Sequence, residues 1–250
     1  MSCLKDDVPH GPEGGKACFT TTRWSVVLAA RGDDSKTAFA ALSELCGVYW
    51  YPLYAYVRRR GHSPEEAEDL TQSFFTTFLA KNYLDDLKPD MGRFRSFLLT
   101  SLKHFLANKW DAANAQKRGG GEAVLSLDDA ERRYQDEPRD HVTPETLFER
   151  RWALTLLEQV LARLRTEFVT TEKAELFDHL KVFLSDGESG VSYAEIAECS
   201  GLKEGTVKVA VHRLRRRYGE LLRSEISQTI GDPREVEDEV RNLIAALSNR

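Results

Sequence analysis

The stretch SYAEIAECSGLKEGTVKVAVHRLRRRYGELLR, residues 192–223, decides how this chain is read. Ser192 and Glu195 have the S-x-x-E spacing of a capping box, which satisfies the first orphan amides of a helix starting at Tyr193. Ile196 and Ala197 give that helix a buried side, and Ser200-Gly201 ends it in a turn. Apolar residues then recur at Val207, Val211, Leu214, Tyr218 and Leu221, the spacing of a second helix with one buried stripe. Its outer face carries Thr206, Lys208, His212, Arg213, Arg216 and Arg217. Lys203, Lys208, Arg213, Arg215, Arg216, Arg217 and Arg223 are opposed only by Glu204 and Glu220, although the whole chain carries a net charge of -5. A short helix, a glycine turn and a basic second helix are what a helix-turn-helix needs to lay that second helix in the DNA major groove. The plain alternative is a helical hairpin with a solvated basic face, which would not call for cap, turn glycine and charge asymmetry together.

Outward from this stretch, the 250 residues allow one or two domains, with 41% hydrophobic and 30% charged residues, as in ordinary globular proteins. Cys3, Cys18, Cys46 and Cys199 are scattered, with no C-x-x-C and no histidine pair nearby, so no zinc site and no disulfide framework is expected. The six histidines have no partner at ligand spacing, so neither a metal nor a cofactor is expected, and no catalytic constellation is present. The polar, Gly- and Pro-containing residues 1–20 lack the apolar core of a signal peptide, and no apolar run is long enough for a membrane span. The expectation is a disordered N-terminus, no membrane insertion and a cytoplasmic location.

Charge is segregated. Residues 93–118 hold Arg93, Arg95, Lys103, Lys109, Lys117 and Arg118 against Asp111, whereas residues 122–150 are strongly acidic. An acidic protein that gathers cations in two separated segments is expected to meet a polyanion at two places.

Helical spacing dominates and strand signals are nearly absent, so an all-α fold is expected. A short helix is expected over 23–30. A longer one covers 36–60, with Phe39, Leu42, Leu45, Tyr49 and Leu53 on one side and Pro52 as a potential kink. Gly61 closes it; Ser63, Pro64 and Glu66 then make a second cap-box start. The helix that follows, to about residue 80, buries Ala67, Leu70, Phe74 and Phe78 and presents Glu65, Asp69, Gln72 and Thr76 on the opposite face. Phe94, Phe97, Leu98, Leu102, Phe105 and Leu106 form the core side of an aromatic helix over 94–110. Arg93, Arg95, Lys103 and Lys109, with Lys88 in the preceding loop, are the candidates there for phosphates of single-stranded DNA. Periodicity fades over 112–142, read as a flexible acidic linker in which 127–134 has helical character. The resulting division is 1–20, 21–111, the linker 112–142, a second helical domain 143–223 and an amphipathic extension 224–250. The extension carries a stripe of Val236, Val240, Leu243 and Leu247. The stripe is expected to cap the second domain or to dock a partner, or else the acidic outer face, Glu235, Glu237, Asp238 and Glu239, is expected to shield Arg213, Arg216 and Arg217.

Three segments in this order resemble the sigma-70 family of RNA polymerase sigma factors, and in particular its extracytoplasmic function (ECF) subfamily. RRRGHSPEEAEDLTQSFFTTFL (58–79) is similar to region 2.2, KPDMGRFRSFLL (88–99) to the start of region 2.3, and VSYAEIAECSGLKEGTVKVAVHRLRRR (191–217) to region 4.2. The resemblance implies a region 2-like helical bundle and a region 4-like helix-turn-helix, with core RNA polymerase and promoter DNA as partners. An anti-sigma factor or another regulatory protein is a further partner of the kind the family takes. It implies that Glu65, Asp69, Gln72 and Thr76 dock on core polymerase. Lys88, Arg93, Arg95, Lys103 and Lys109 would serve the melted minus-10 element, with the loop 82–92 holding a flipped base. Lys203, Glu204, Thr206, Lys208, His212, Arg213, Arg216 and Arg217 would face the minus-35 element. The chain departs from the family with Phe97 in place of tryptophan and with His104 in a stretch where asparagine is common. Lys203 replaces a capping serine, at a cost of about 1 kcal/mol, and Val209-Ala210 replaces a Ser-Arg pair. The rival readings are a helix-turn-helix transcriptional regulator with an N-terminal dimerising or sensing domain, and a helical adaptor that binds only protein.

Overall fold

Residues 48–57 of one helix leave almost nothing to solvent. Val48, Tyr49, Trp50, Tyr51, Leu53, Tyr54, Ala55, Tyr56 and Val57 are all buried, so this part of the helix is enclosed on every side. In this computed structural model the helix is α1, Ser35–Arg59, and it runs through Pro52 as one helix. The structure describes residues 35–80, 93–113, 127–137, 142–184, 191–230 and 232–248. The expected disordered N-terminus, the helix over 23–30, the loop 82–92 and its Lys88 lie outside them.

All nine α-helices among the described residues follow from local signals already in the sequence, and no described residue is in a strand. After α1 comes α2, Pro64–Ala80, started by the predicted capping box: the Glu66 amide donates to Ser63 Oγ at 3.2 Å, and the Ser63 amide donates to Glu66 Oε2 at 3.1 Å. Then follow α3, Phe94–Ala113, and the short α4, Leu127–Gln135. The 27-residue α5, Pro144–Thr170, starts on the Thr143 cap with Pro144 in its first turn. Next are α6, Ala174–Leu180, α7, Tyr193–Ser200, α8, Glu204–Thr229, and α9, Val236–Ser248.

The buried residues form two clusters. The first gathers α1, Phe74, Phe75 and Phe78 of α2, Phe94, Leu98 and Leu102 of α3, Ala130 of α4, and Leu147, Phe148, Trp152 and Leu156 of α5. The second gathers Val160 and Leu164 of α5, Phe177 and Leu180 of α6, Ile196 of α7, and Val207, Val211, Leu214 and Leu221 of α8. The packing therefore does not divide at the acidic segment. Helix α5 supplies its first half to one core and its second half to the other. Helix α8 does the same in reverse, since Ile226 near its end rejoins the first cluster.

Two expectations change here. The segment 127–137 is not a loose tether in this structure. Tyr54 Oη and Arg58 donate to Glu131 at 2.8–2.9 Å, Tyr51 Oη donates to Glu137 at 3.0 Å, and the Arg133 guanidinium stacks 3.9 Å from the Tyr51 ring centre. The acidity of the segment is spent on the tyrosine- and arginine-bearing side of α1. The C-terminal extension, in turn, returns to the first core instead of capping the second. Leu243 is buried there, with Val236, Val240 and Leu247 packed against it.

Candidate nucleic-acid interface

The helix-turn-helix folds as its sequence dictates. The Glu195 amide donates to Ser192 Oγ at 3.2 Å and the Ser192 amide donates to Glu195 Oε2 at 2.6 Å, closing the capping box. The Ser192 amide and hydroxyl together hold the Glu195 carboxyl below the usual carboxylate range. Gly201 ends α7 with φ 66°, ψ 21°, a left-handed conformation that an L side chain adopts only with strain, and the Leu202 amide returns to the Ala197 carbonyl at 3.0 Å. The cap missing at Lys203 is missing in the structure as well: α8 begins with no side-chain hydrogen bond to its first amides.

Val207, Val211, Leu214 and Leu221 face the second core as expected, and Phe183 stacks on Tyr193 at 4.8 Å behind the turn. The residues singled out on the other side, Lys203, Glu204, Thr206, Lys208, His212, Arg213, Arg216 and Arg217, are all exposed. They differ in how committed they are. Lys208 pairs with Glu204 at 2.7 Å and Arg216 with Glu220 at 2.9 Å, both i,i+4 pairs that water and salt leave weak. Arg217 makes a forked contact to Glu167 of α5 at 2.7 and 2.8 Å, which holds the carboxyl below its usual range. Lys203 and Arg213 have no ion-pair partner among the described residues. The outer face thus offers loosely held cations at Lys203, Lys208, Arg213 and Arg216, while Arg217 ties α8 to α5.

The second basic segment has another fate. Arg95 is only 4% exposed: its Nε lies 2.7 Å from Glu149 of α5, its Nη1 bonds to Glu239 of α9, and its guanidinium stacks 4.1 Å from the Trp152 ring centre. Burial opposes that charge, but Glu149 and Glu239 outweigh the penalty and keep it protonated. Glu239 itself is 0% exposed and also takes Arg93 Nε at 2.9 Å. Arg95 therefore lies in the core and not on a surface that DNA could meet, and Glu239 is no part of an outer acidic face. Lys103 pairs with Glu145 at 2.8 Å, and the exposed Lys109 lies 5.7 Å from the Phe105 ring centre. Phe94 is buried, and Phe97 and Phe105 are half-buried against the first core. Beside Lys109, Trp110 is 68% exposed, a ring outside the expected stripe.

On α2, Glu65, Asp69 and Thr76 are exposed, as the spacing predicted. Gln72 is half-buried, with a buried Oε1 that has no hydrogen-bond partner among the described residues, so it faces inward more than the periodicity implied. Burial, reinforced by Asp69 and Glu65, pushes the neighbouring Glu68 carboxyl up. The sequence did not point to a groove of about 460 Å³ between α1 and α4, lined by Arg58, Arg59, Glu131, Tyr134, Gln135 and Glu137. No group of three or more His, Cys, Asp or Glu among the described residues is placed to hold a metal ion, and no helix among them is long and apolar enough to cross a membrane.

No protein-family model matches the chain, and neither a curated protein nor a solved structure is significantly similar to it.

Proposed function

We propose that this chain is a promoter-specificity subunit of bacterial RNA polymerase, a sigma factor of ECF type. The observation that carries the reading is the helix-turn-helix with its unburied basic face: a capped first helix, a left-handed glycine turn, and a second helix whose Lys203, Lys208, Arg213 and Arg216 are open to a polyanion. A helix presented in this way can enter the major groove, its cations on phosphates and its N-terminal residues on base edges. The order of the three sequence segments adds the polymerase. By that resemblance, the exposed Glu65, Asp69 and Thr76 side of α2 docks on core enzyme, and the two cores correspond to the minus-10 and minus-35 modules. Lys88 and Lys109, with the exposed Trp110 next to Lys109, are the candidates for the melted strand, while Arg93 is held by the buried Glu239. Arg95 leaves that set, because its guanidinium is consumed inside the protein. The chain acts by binding and is placed in the cytoplasm with its polymerase.

The test is association with bacterial core RNA polymerase, followed by sedimentation. The chain co-sediments with core, and Asp69→Arg weakens the association about tenfold without loss of helix content, since one reversed charge at a docking face costs on the order of 1–2 kcal/mol. A chain that ignores core polymerase and binds duplex DNA unaided as a dimer is the rival regulator instead.

A further inference from the structure

The outward ridge of α8 is not cationic along its whole length. At about 100° per residue, Val207, Val211, Leu214, Tyr218 and Leu221 centre the buried stripe. Gly205, Val209, His212 and Arg216 then fall on the opposite ridge, with Thr206, Lys208 and Arg213 flanking it. Val209 is 49% exposed and is the sole large hydrophobic exposed on α8. Gly205, one turn earlier on the same ridge, has nothing within 4 Å of where a Cβ would stand. The leading end of the ridge is therefore small and apolar, and its trailing end is cationic. A β-branched residue is a poor choice for a solvated helix position on propensity alone, where alanine or a charged residue stabilises more.

Resting on the sigma-factor reading, we propose that Val209 is a specificity residue whose methyl groups contact the C5-methyl of a thymine in the major groove of the upstream promoter element. The C5-methyl is the one apolar feature that base pairs present there, and a hydrophobic side chain is its natural reader. Gly205 lets the helix approach the bases closely, while Lys203, Lys208, Arg213 and Arg216 hold the phosphates on either side. Sequence preference at this point of the element then follows from shape and apolar contact, with no hydrogen bond to a guanine edge.

The experiment uses the full chain with bacterial core RNA polymerase and a library of duplex DNA with a randomised segment. The best-bound sequence is remade with deoxyuridine replacing each thymidine in turn, which removes one methyl group and nothing else. One position weakens binding about three- to fivefold, the size expected for burying a single methyl against valine. Val209→Ala, which should fold because the site is exposed and alanine favours helix, removes the sensitivity at that position and no other. Sequence-specific binding in which no deoxyuridine position responds to Val209→Ala overturns the role of Val209 and leaves the sigma-factor reading standing. Failure to select any duplex sequence, with helix content intact, overturns the sigma-factor reading and this inference with it.

Discussion

The two basic segments carry the same signal in sequence and opposite roles in the structure. Around α8 the cations project from a helix whose other side is the core; Lys208 and Arg216 pair with glutamates a turn away in solvent, and Arg217 reaches across to Glu167 of α5. Around the start of α3, Arg93 and Arg95 turn inward to Glu149 and Glu239, carboxylates of two other helices. Local excess charge thus says that cations are present; only packing says whether they are available. A buried guanidinium with two carboxylates and an aromatic ring acts as a structural tie, whereas an exposed one with an i,i+4 glutamate can exchange that partner for a phosphate at little cost.

This contrast can be broken by mutation, and the largest effect should come from the tie. Deleting residues 232–250 removes buried Leu243 and leaves Arg93 and Arg95 without Glu239. We expect a loss of about 5 kcal/mol in urea unfolding, combining apolar burial and a broken buried pair. A truncated chain that keeps its stability and binds DNA better would instead make α9 an inhibitory tail.

Arg95→Ala should cost about 3–5 kcal/mol, because the buried Glu239 is left with Arg93 alone and Glu149 loses its partner. Arg95→Met should recover little of it while both carboxylates remain. Unchanged stability in Arg95→Ala would mean that Arg95 is free for other work.

The α1–α4 contact gives a smaller, pH-dependent effect. Hydrogen bonds from Arg58, and then from Tyr54, hold the Glu131 carboxyl below its usual range despite partial burial. A carboxylate whose folded pKa is depressed stabilises the fold above its unfolded pKa and loses that contribution as pH falls through the folded value. The stability difference between the parent protein and Glu131→Gln should be about 1–2 kcal/mol at pH 7 and should shrink toward zero as the pH is lowered from 5 to 3. A difference independent of pH would remove the ion pair from the account.

The smallest effect on stability belongs to the reading face. Arg213→Ala should change unfolding by less than about 0.5 kcal/mol and yet lower the salt slope of DNA binding by about 1. Arg95→Ala, measured where it is folded, should leave that slope unchanged.

Much of the helix-turn-helix was legible because its determinants are close in the chain: Ser192 with Glu195, Gly201 at the turn, and a stripe at helical spacing. The tie was illegible because its partners are 54 and 144 residues apart, Arg95 with Glu149 and with Glu239, and nothing local distinguishes such an arginine from a solvated one. The acidic segment misled for the same reason. Glu131 and Glu137 look like solvated linker charges until Arg58, Tyr54 and Tyr51, more than seventy residues earlier, are brought against them. Helix α8 runs on to Thr229, beyond the end expected from its last basic residue, since no glycine or proline intervenes before Gly231.

The central claim is tested most directly by transcription. The purified chain is added to bacterial core RNA polymerase with a template library of upstream regions, and run-off transcripts are sequenced. A sigma factor yields transcripts from a discrete set of start sites that share an upstream element and vanish when the chain is omitted, with yield from them falling about tenfold or more in Arg213→Ala combined with Lys208→Ala. The same background transcripts with and without the chain would contradict that claim.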